Sequence, residues 1–157
     1  MVTREAFERT AQELLPVMYK VAVSIVRSEQ DAKDAMQQAL LNVWERRESV
    51  RVDTFRAYLM RIVMNECRNI QRRRMRVFPA DLPPVSRDAA GEYSDVHEAL
   101  YQLPETLRLP LMLKYLHGFS EKEASQALNI PVTTFKSRLH RARKALRKIL
   151  DREVVFE

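Results

Sequence analysis

The 157-residue chain has little glycine, cysteine or tryptophan: two glycines, Gly91 and Gly118, one cysteine, Cys67, and one tryptophan, Trp44. Sheet proteins use glycine in hairpin turns and bulges, so its scarcity argues against a β architecture and for helices. A lone cysteine excludes an internal disulfide and with it a disulfide-stapled scaffold; a reducing compartment fits. The three histidines, His97, His117 and His140, are scattered. No zinc spacing, phosphate-cradling loop or nucleophile motif occurs. Neither a metal, a cofactor nor a catalytic centre is expected. No run approaches the ~20 apolar residues of a membrane span. The polar start Met1-Val-Thr-Arg-Glu lacks the apolar core of a signal peptide, so the expected location is the cytoplasm.

What is present is charge and helical periodicity. The composition is 46% apolar and 31% charged, in the globular range. The formal net charge of +6 suggests a polyanionic partner. The excess is localised: residues 1–71 hold 11 basic and 10 acidic side chains, whereas residues 68–76 hold five arginines and no acid. Residues 80–118 are net acidic, and residues 136–148 hold seven Lys/Arg and no acid.

The periodicity predicts an all-α protein of two small helical domains. A first helix runs from about Thr3 to Arg27, with Pro16 expected to distort or split it. A second, about Asp31 to Arg47, carries Ala32, Ala35, Met36, Ala39, Leu40, Val43 and Trp44 in steps of three and four, with Asp31 as its N-cap. A third starts near Thr54, and Phe55, Tyr58, Leu59, Ile62, Val63 and Ile70 form its buried side. Residues 77–94 contain Pro79, Pro83, Pro84 and Gly91 and no apolar stripe, the pattern of an extended linker. This gives one domain over 1–76 and a second over 95–157. Helix resumes at Asp95 with Val96, Leu100 and Leu103. Pro104 suits the first turn of the next helix, which Pro110 should bend and Gly118 should end. Ser120-x-x-Glu123 is a capping box, and Asn129 is placed to end that short helix in the left-handed conformation. A last helix runs from near Pro131 to about Leu150, with Phe135, Leu139, Ala142, Leu146 and Ile149 on its apolar stripe.

Two surfaces carry chemistry. Residues 120–143 form a helix-turn-helix: a short capped helix, a tight turn and a long basic helix. The exposed side of the second helix would present Lys136, Ser137, Arg138, His140, Arg141 and Lys144, a set suited to base edges and phosphates in a major groove. The arginine run around Arg68 is a weaker signal, because a charge run is commonly a solvated helix end. Asn65 and Asn69, one turn apart beside Arg61, Arg68, Arg72 and Arg73, add amides able to read bases. On the second helix, Asp34, Gln37, Gln38, Leu41 and Glu45 lie opposite the apolar stripe. That face fits either solvent or a protein partner. A stand-alone helix-turn-helix regulator binding operator DNA as a homodimer is the alternative reading of these features.

Taken in order, the segments resemble the extracytoplasmic-function (ECF) sigma factors of bacterial RNA polymerase, over nearly the whole chain. Asp31-Ala-Lys-Asp-Ala-Met-Gln-Gln-Ala-Leu-Leu-Asn-Val-Trp44 is similar to that family's polymerase-binding helix. Phe55-Arg-Ala-Tyr-Leu-Met-Arg-Ile-Val-Met-Asn65, followed by Arg72-Arg-Arg, is similar to its promoter −10 helix. Phe119-Ser-Glu-Lys-Glu-Ala-Ser-Gln-Ala-Leu and Thr134-Phe-Lys-Ser-Arg-Leu-His-Arg-Ala-Arg143 resemble its −35 reader. Lys33, Gln38, Tyr58, Asn69, Ala124, Asn129 and Thr133 depart from the family's usual residues.

The resemblance implies a non-enzymatic factor that binds core RNA polymerase and promoter DNA, both duplex and melted. It implies polymerase contacts by Asp34, Gln37, Gln38, Leu41 and Glu45, and base capture by the loop Glu48–Thr54. Arg61, Asn65, Arg68, Asn69, Arg72 and Arg73 would face the −10 element. Thr134, Lys136, Ser137, Arg138, His140, Arg141 and Lys144 would face the −35 element. Many members are held by an anti-sigma factor, often membrane-anchored, which makes such a factor a further partner to test.

Overall fold

A computed structural model describes residues 1–77 and 95–155 of the chain. All regular structure among them is helical, and the chain divides into two compact units, Met1–Gly91 and Glu92–Glu157. Of the expected linker, Val77 is the last residue of a helix, and the remainder lies outside the described residues.

The first unit packs three helices, α1 (Arg4–Val26), α2 (Glu29–Glu45) and α3 (Phe55–Val77). Its core is Leu14, Met18, Val21 and Ile25 of α1 against Leu59, Met60, Val63, Met64 and Cys67 of α3, all buried. The buried side of α2 is small: Ala32, Ala35, Ala39 and Val43. Small side chains let a helix axis approach its neighbours closely, so α2 is held tightly while its opposite face stays in solvent. Trp44, expected on the core stripe, is half-buried; it meets Phe7 edge-on at 5.1 Å between ring centroids, and Arg47 lies 3.7 Å over its ring.

Two expectations for this unit are corrected, a split at Pro16 and the cap of α2, and the third helix starts where expected, one residue past Thr54. Pro16 does not split α1, which is continuous over 23 residues. Gln12, whose carbonyl loses its helical partner to the proline, is on the exposed side with Pro16, where water can replace the missing donor. The N-cap of α2 is Ser28, not Asp31: Ser28 Oγ accepts from Asp31 N at 3.3 Å. Asp31 is an acid in the first turn, favourable to the helix dipole, and pairs with Arg74 of α3. The start of α3 is Phe55, preceded by a short 3-10 turn over Val52–Thr54.

The C-terminus of α1 is closed by α3. Gln71 Nε2 donates to Ile25 O at 2.8 Å and Arg74 Nη1 to Val26 O at 3.3 Å, satisfying carbonyls that a helix end leaves unpaired. Arg27 then turns the chain in the left-handed region at φ 55°.

The second unit contains α4 (Asp95–Gln102), α5 (Glu105–Leu111), α6 (Glu121–Leu128) and α7 (Val132–Val155). Ala99, Leu100, Leu109, Leu113, Phe119, Ala124, Ala127, Phe135, Leu139 and Ala142 are buried together. Of the three residues expected on α4, Val96 is exposed, Leu100 is buried, and Leu103, although buried, lies just past its end. Pro104 is the N-cap of α5 rather than a residue of its first turn. At Pro110, where a bend is expected, the structure shows a change of helical winding. Proline withholds one helical rung, and the next turn, Met112–Leu116, is wound as a π-helix, with His117 N donating to Met112 O at 3.1 Å. Gly118 at φ 67° follows, in a region open to glycine without steric cost.

Candidate nucleic-acid interface

Helix α6, the first of the helix-turn-helix pair, is fixed at both ends. The capping box is formed: Glu123 N donates to Ser120 Oγ at 3.0 Å, and Ser120 N to Glu123 Oε1 at 3.2 Å. Asn129 ends α6 in the left-handed conformation, φ 56° and ψ 46°, and Ile130 N reaches back to Ser125 O at 3.0 Å. The following helix is anchored by Phe135, Leu139 and Ala142, none more than 3% exposed. That anchoring sets the opposite side outward: Lys136, Ser137, His140, Arg141 and Lys144 are exposed, while Thr134 and Arg138 are half-buried at its edges.

The basic face has one acidic member that sequence reasoning passed over. Glu121 Oε1 accepts from Lys114 Nζ at 2.9 Å, and Glu121 Oε2 lies 3.8 Å from Lys136 Nζ. The Lys114 hydrogen bond, helped by the charges of Lys114, Lys136 and Arg143, holds the Glu121 carboxyl below its ordinary pKa against an opposing desolvation effect. Arg143, also outside the expected set, donates to the Tyr115 hydroxyl at 2.5 Å.

In the first unit, α2 and α3 enclose a groove of about 400 Å³ lined by Asn42, Arg46, Tyr58, Ile62, Asn65, Glu66, Arg68, Asn69 and Arg72. Four of the six −10 candidates meet there. Each asparagine is oriented by an arginine three residues on: Asn65 Oδ1 accepts from Arg68 Nη1 at 3.3 Å, and Asn69 Oδ1 accepts from Arg72. Arg61 is half-buried and does not line the groove. Arg73 lines a different depression of about 310 Å³ with Asp31, Asp34, Ile70, Arg74 and Val77. One residue expected to meet polymerase and one expected to meet DNA therefore share a wall. Arg74, within the arginine run, faces Asp31 and the end of α1, a structural role that a count of charges could not separate from binding.

Asn42, Arg46, Tyr58, Ile62 and Glu66 were not anticipated as groove residues. Asn42 of α2 and Arg46, which caps its C-terminus, stand four apart, and the i, i+4 spacing beside the alanine stripe is the signal that was available.

The remaining exposed face of α2 presents Asp34, Gln37, Gln38, Leu41 and Glu45; Leu41 is 58% exposed. Lys33 pairs with Glu29 at 3.2 Å, and Gln30 Nε2 donates to Asp34 Oδ1 at 3.2 Å. The loop after α2 is pinned by buried Val50 and by Val2 N donating to Arg47 O at 3.1 Å, while Val52 within it is 61% exposed. Among the described residues no group of three or more His, Cys, Asp or Glu is placed to hold a metal, and no helix is long and apolar enough to cross a membrane.

A small helical unit with a grooved, arginine-lined face and a second unit built on a helix-turn-helix follow one another along the chain. Residues 10–77 match the Sigma-70 region 2 model and residues 93–146 the Sigma-70, region 4 model. The ECF RNA polymerase sigma factor SigM of Mycobacterium tuberculosis is 31% identical over 154 residues, covering 94% of this chain and 78% of that protein. The RNA polymerase sigma-H factor of Pseudomonas aeruginosa is 29% identical, covering 92% and 88% of the two chains. Among solved structures, the sigma factor RpoE in complex with the anti-sigma factor NepR from Bartonella quintana superposes with a TM-score of 0.71 at 27% identity, covering 89% of this chain and 95% of that one. CnrH in complex with the cytosolic domain of CnrY gives a TM-score of 0.71 at 25% identity over 95% of this chain and 90% of that one. The chain belongs to the ECF sigma factors, RNA polymerase subunits that direct promoter recognition and transcription initiation. The homodimeric operator-binding reading is not favoured, because both sigma regions match in order along one chain.

Proposed function

We propose that the two units divide the promoter between them. The N-terminal unit docks on core RNA polymerase through Asp34, Gln37, Gln38, Leu41 and Glu45 of α2. Its α3 faces the melted −10 element with Asn65, Arg68, Asn69 and Arg72 in the groove and Arg61 and Arg73 flanking it. The C-terminal unit reads the −35 element as duplex with Thr134, Lys136, Ser137, Arg138, His140, Arg141 and Lys144. The observation that carries the reading is the sidedness of α7: buried Phe135, Leu139 and Ala142 fix the helix so that its cations face outward together. A helix so presented fits the major groove, where Lys and Arg reach guanine and phosphate. Extruding a −10 base costs a few kcal/mol of unstacking, which contacts in a fitted pocket offset.

On this reading the chain works in the cytoplasm and performs no chemistry itself; polymerase supplies the catalysis. The RpoE structure pairs a sigma factor with an anti-sigma factor, and a partner of that class is proposed for this chain. The test is run-off transcription with core polymerase on a promoter library. Transcripts that require both a −35 and a −10 element support the division, and transcripts indifferent to either element oppose it.

A further inference from the structure

Glu66 is the one carboxylate among the side chains lining the α2–α3 groove, set against Arg46, Arg68 and Arg72. A carboxylate beside a path for a polyanion is unfavourable unless it makes a contact of its own. Its position is fixed from α2: Asn42 Nδ2 donates to Glu66 Oε1 at 3.1 Å, and Gln38 Nε2 donates to Asn42 Oδ1 at 3.1 Å. The direction of this chain is chemically forced. Ionised Glu66 can only accept, so Asn42 must turn its amine toward Glu66 and its carbonyl toward Gln38. Only Oε1 of Glu66 is engaged among the described residues, which leaves Oε2 as an acceptor in a groove whose other polar groups are mostly donors.

We propose that Glu66 is a specificity-determining residue for one base of the melted −10 strand, selecting a base with an exposed amine and disfavouring thymine. This rests on the reading that the groove receives the −10 element. The groove, about 400 Å³, falls within the range of ~300–1,000 Å³ typical of small-ligand sites. Tyr58 and Ile62 supply an apolar wall suited to a base face. Guanine, adenine and cytosine each bring an exocyclic amine to a carboxylate, as acidic side chains accept from cytosine N4 in duplex readout. Thymine brings only N3–H between two carbonyl oxygens, which repel an anion. The three arginines offset the charge of Glu66 along the phosphate path. Gln38, on the polymerase-facing side of α2, is the outer end of the same chain of hydrogen bonds.

The experiment is run-off transcription by reconstituted holoenzyme on promoters carrying each of the four bases at every −10 position. Wild type, Glu66→Gln, Glu66→Ala and Asn65→Ala are compared, with thermal unfolding as the control for folding. Glutamine keeps the shape of Glu66 but can present either end of its amide, so the forced direction is lost. The wild type is expected to disfavour thymine about tenfold at one position. Both Glu66 variants should lose that preference there while keeping their preferences at −35. If Asn65→Ala disturbs −10 selectivity and both Glu66 variants retain every wild-type preference, the inference is overturned and the groove reading stands. If none of the three variants alters −10 selectivity, the groove reading falls and the inference falls with it.

Discussion

Arg74 and Arg73 are neighbours in one arginine run with different surroundings. Arg74 is half-buried between Asp31 and the Val26 carbonyl, whereas Arg73 is exposed. Replacing Arg74 with Ala removes the cation paired with Asp31 and the donor to the Val26 carbonyl. That should cost about 1–2 kcal/mol in denaturant unfolding, between the values for exposed and buried pairs. Arg73→Ala should change stability by less than about 0.5 kcal/mol. Equal losses would show that the run acts as one charge cluster. In the C-terminal unit, the Glu121 carboxyl lies below its ordinary pKa because Lys114 bonds its ionised form. A lowered folded-state pKa gives stability that is present above the unfolded value and lost as pH falls through the lowered one. Carboxyl-carbon NMR should therefore find Glu121 titrating below its ordinary range, and Lys114→Ala should move it back up. An unchanged titration in that variant would contradict the assignment. Neither role was legible in the sequence, where Arg74 is one of five arginines and Glu121 is only a first-turn acid.

At the scale of elements, the short helix α6 was readable because its signals are local. Ser120, Glu123 and Asn129 act within a few residues of themselves, and each does what its chemistry allows. Ser120→Ala should cost about 1 kcal/mol in unfolding of the C-terminal unit, the usual loss for an N-cap. No measurable loss would mean the box is not formed in solution. The features that were misread depend on surroundings instead. Pro16 is tolerated because its side of α1 meets solvent, a fact about packing that no window of sequence contains. Ser28 displaced Asp31 as the cap by three residues because both types can serve, and the choice fell to where α1 ends. The π turn after Pro110 is a choice of hydrogen-bond register, His117 N to Met112 O, that an apolar period does not encode. The α2–α3 groove was half-legible: Asn65, Arg68, Asn69 and Arg72 stood out by type and spacing, whereas Tyr58, Ile62 and Glu66 of α3, and Asn42 and Arg46 opposite, needed the contact between two helices. The outer face of α2 yields a further test. Asp34→Ala with Leu41→Ala removes exposed side chains, so the double variant should keep its unfolding midpoint and compete poorly for core polymerase. Competition equal to wild type would remove polymerase docking from this face.

For the molecule as a whole, one chain carries the two sigma regions in order, each in its own compact unit. Their separate surfaces should fail separately. Arg141 is exposed on the outward side of α7, and Arg141→Ala should weaken cognate −35 binding by roughly 1–3 kcal/mol if its fork meets a base. Lys148 is also exposed and nearer the helix end, and Lys148→Ala should lower binding to all sequences alike and reduce the salt slope by about one phosphate contact. Matched, sequence-independent losses would leave α7 as a phosphate anchor only. The most direct test of the central claim is footprinting of reconstituted holoenzyme on a cognate promoter, with DNase protection at −35 and permanganate reactivity at the −10 thymines read together. The account predicts that Asn65→Ala with Asn69→Ala lowers −10 reactivity while −35 protection persists. Equal loss of both signals, or of neither, would contradict a promoter divided between two independent units.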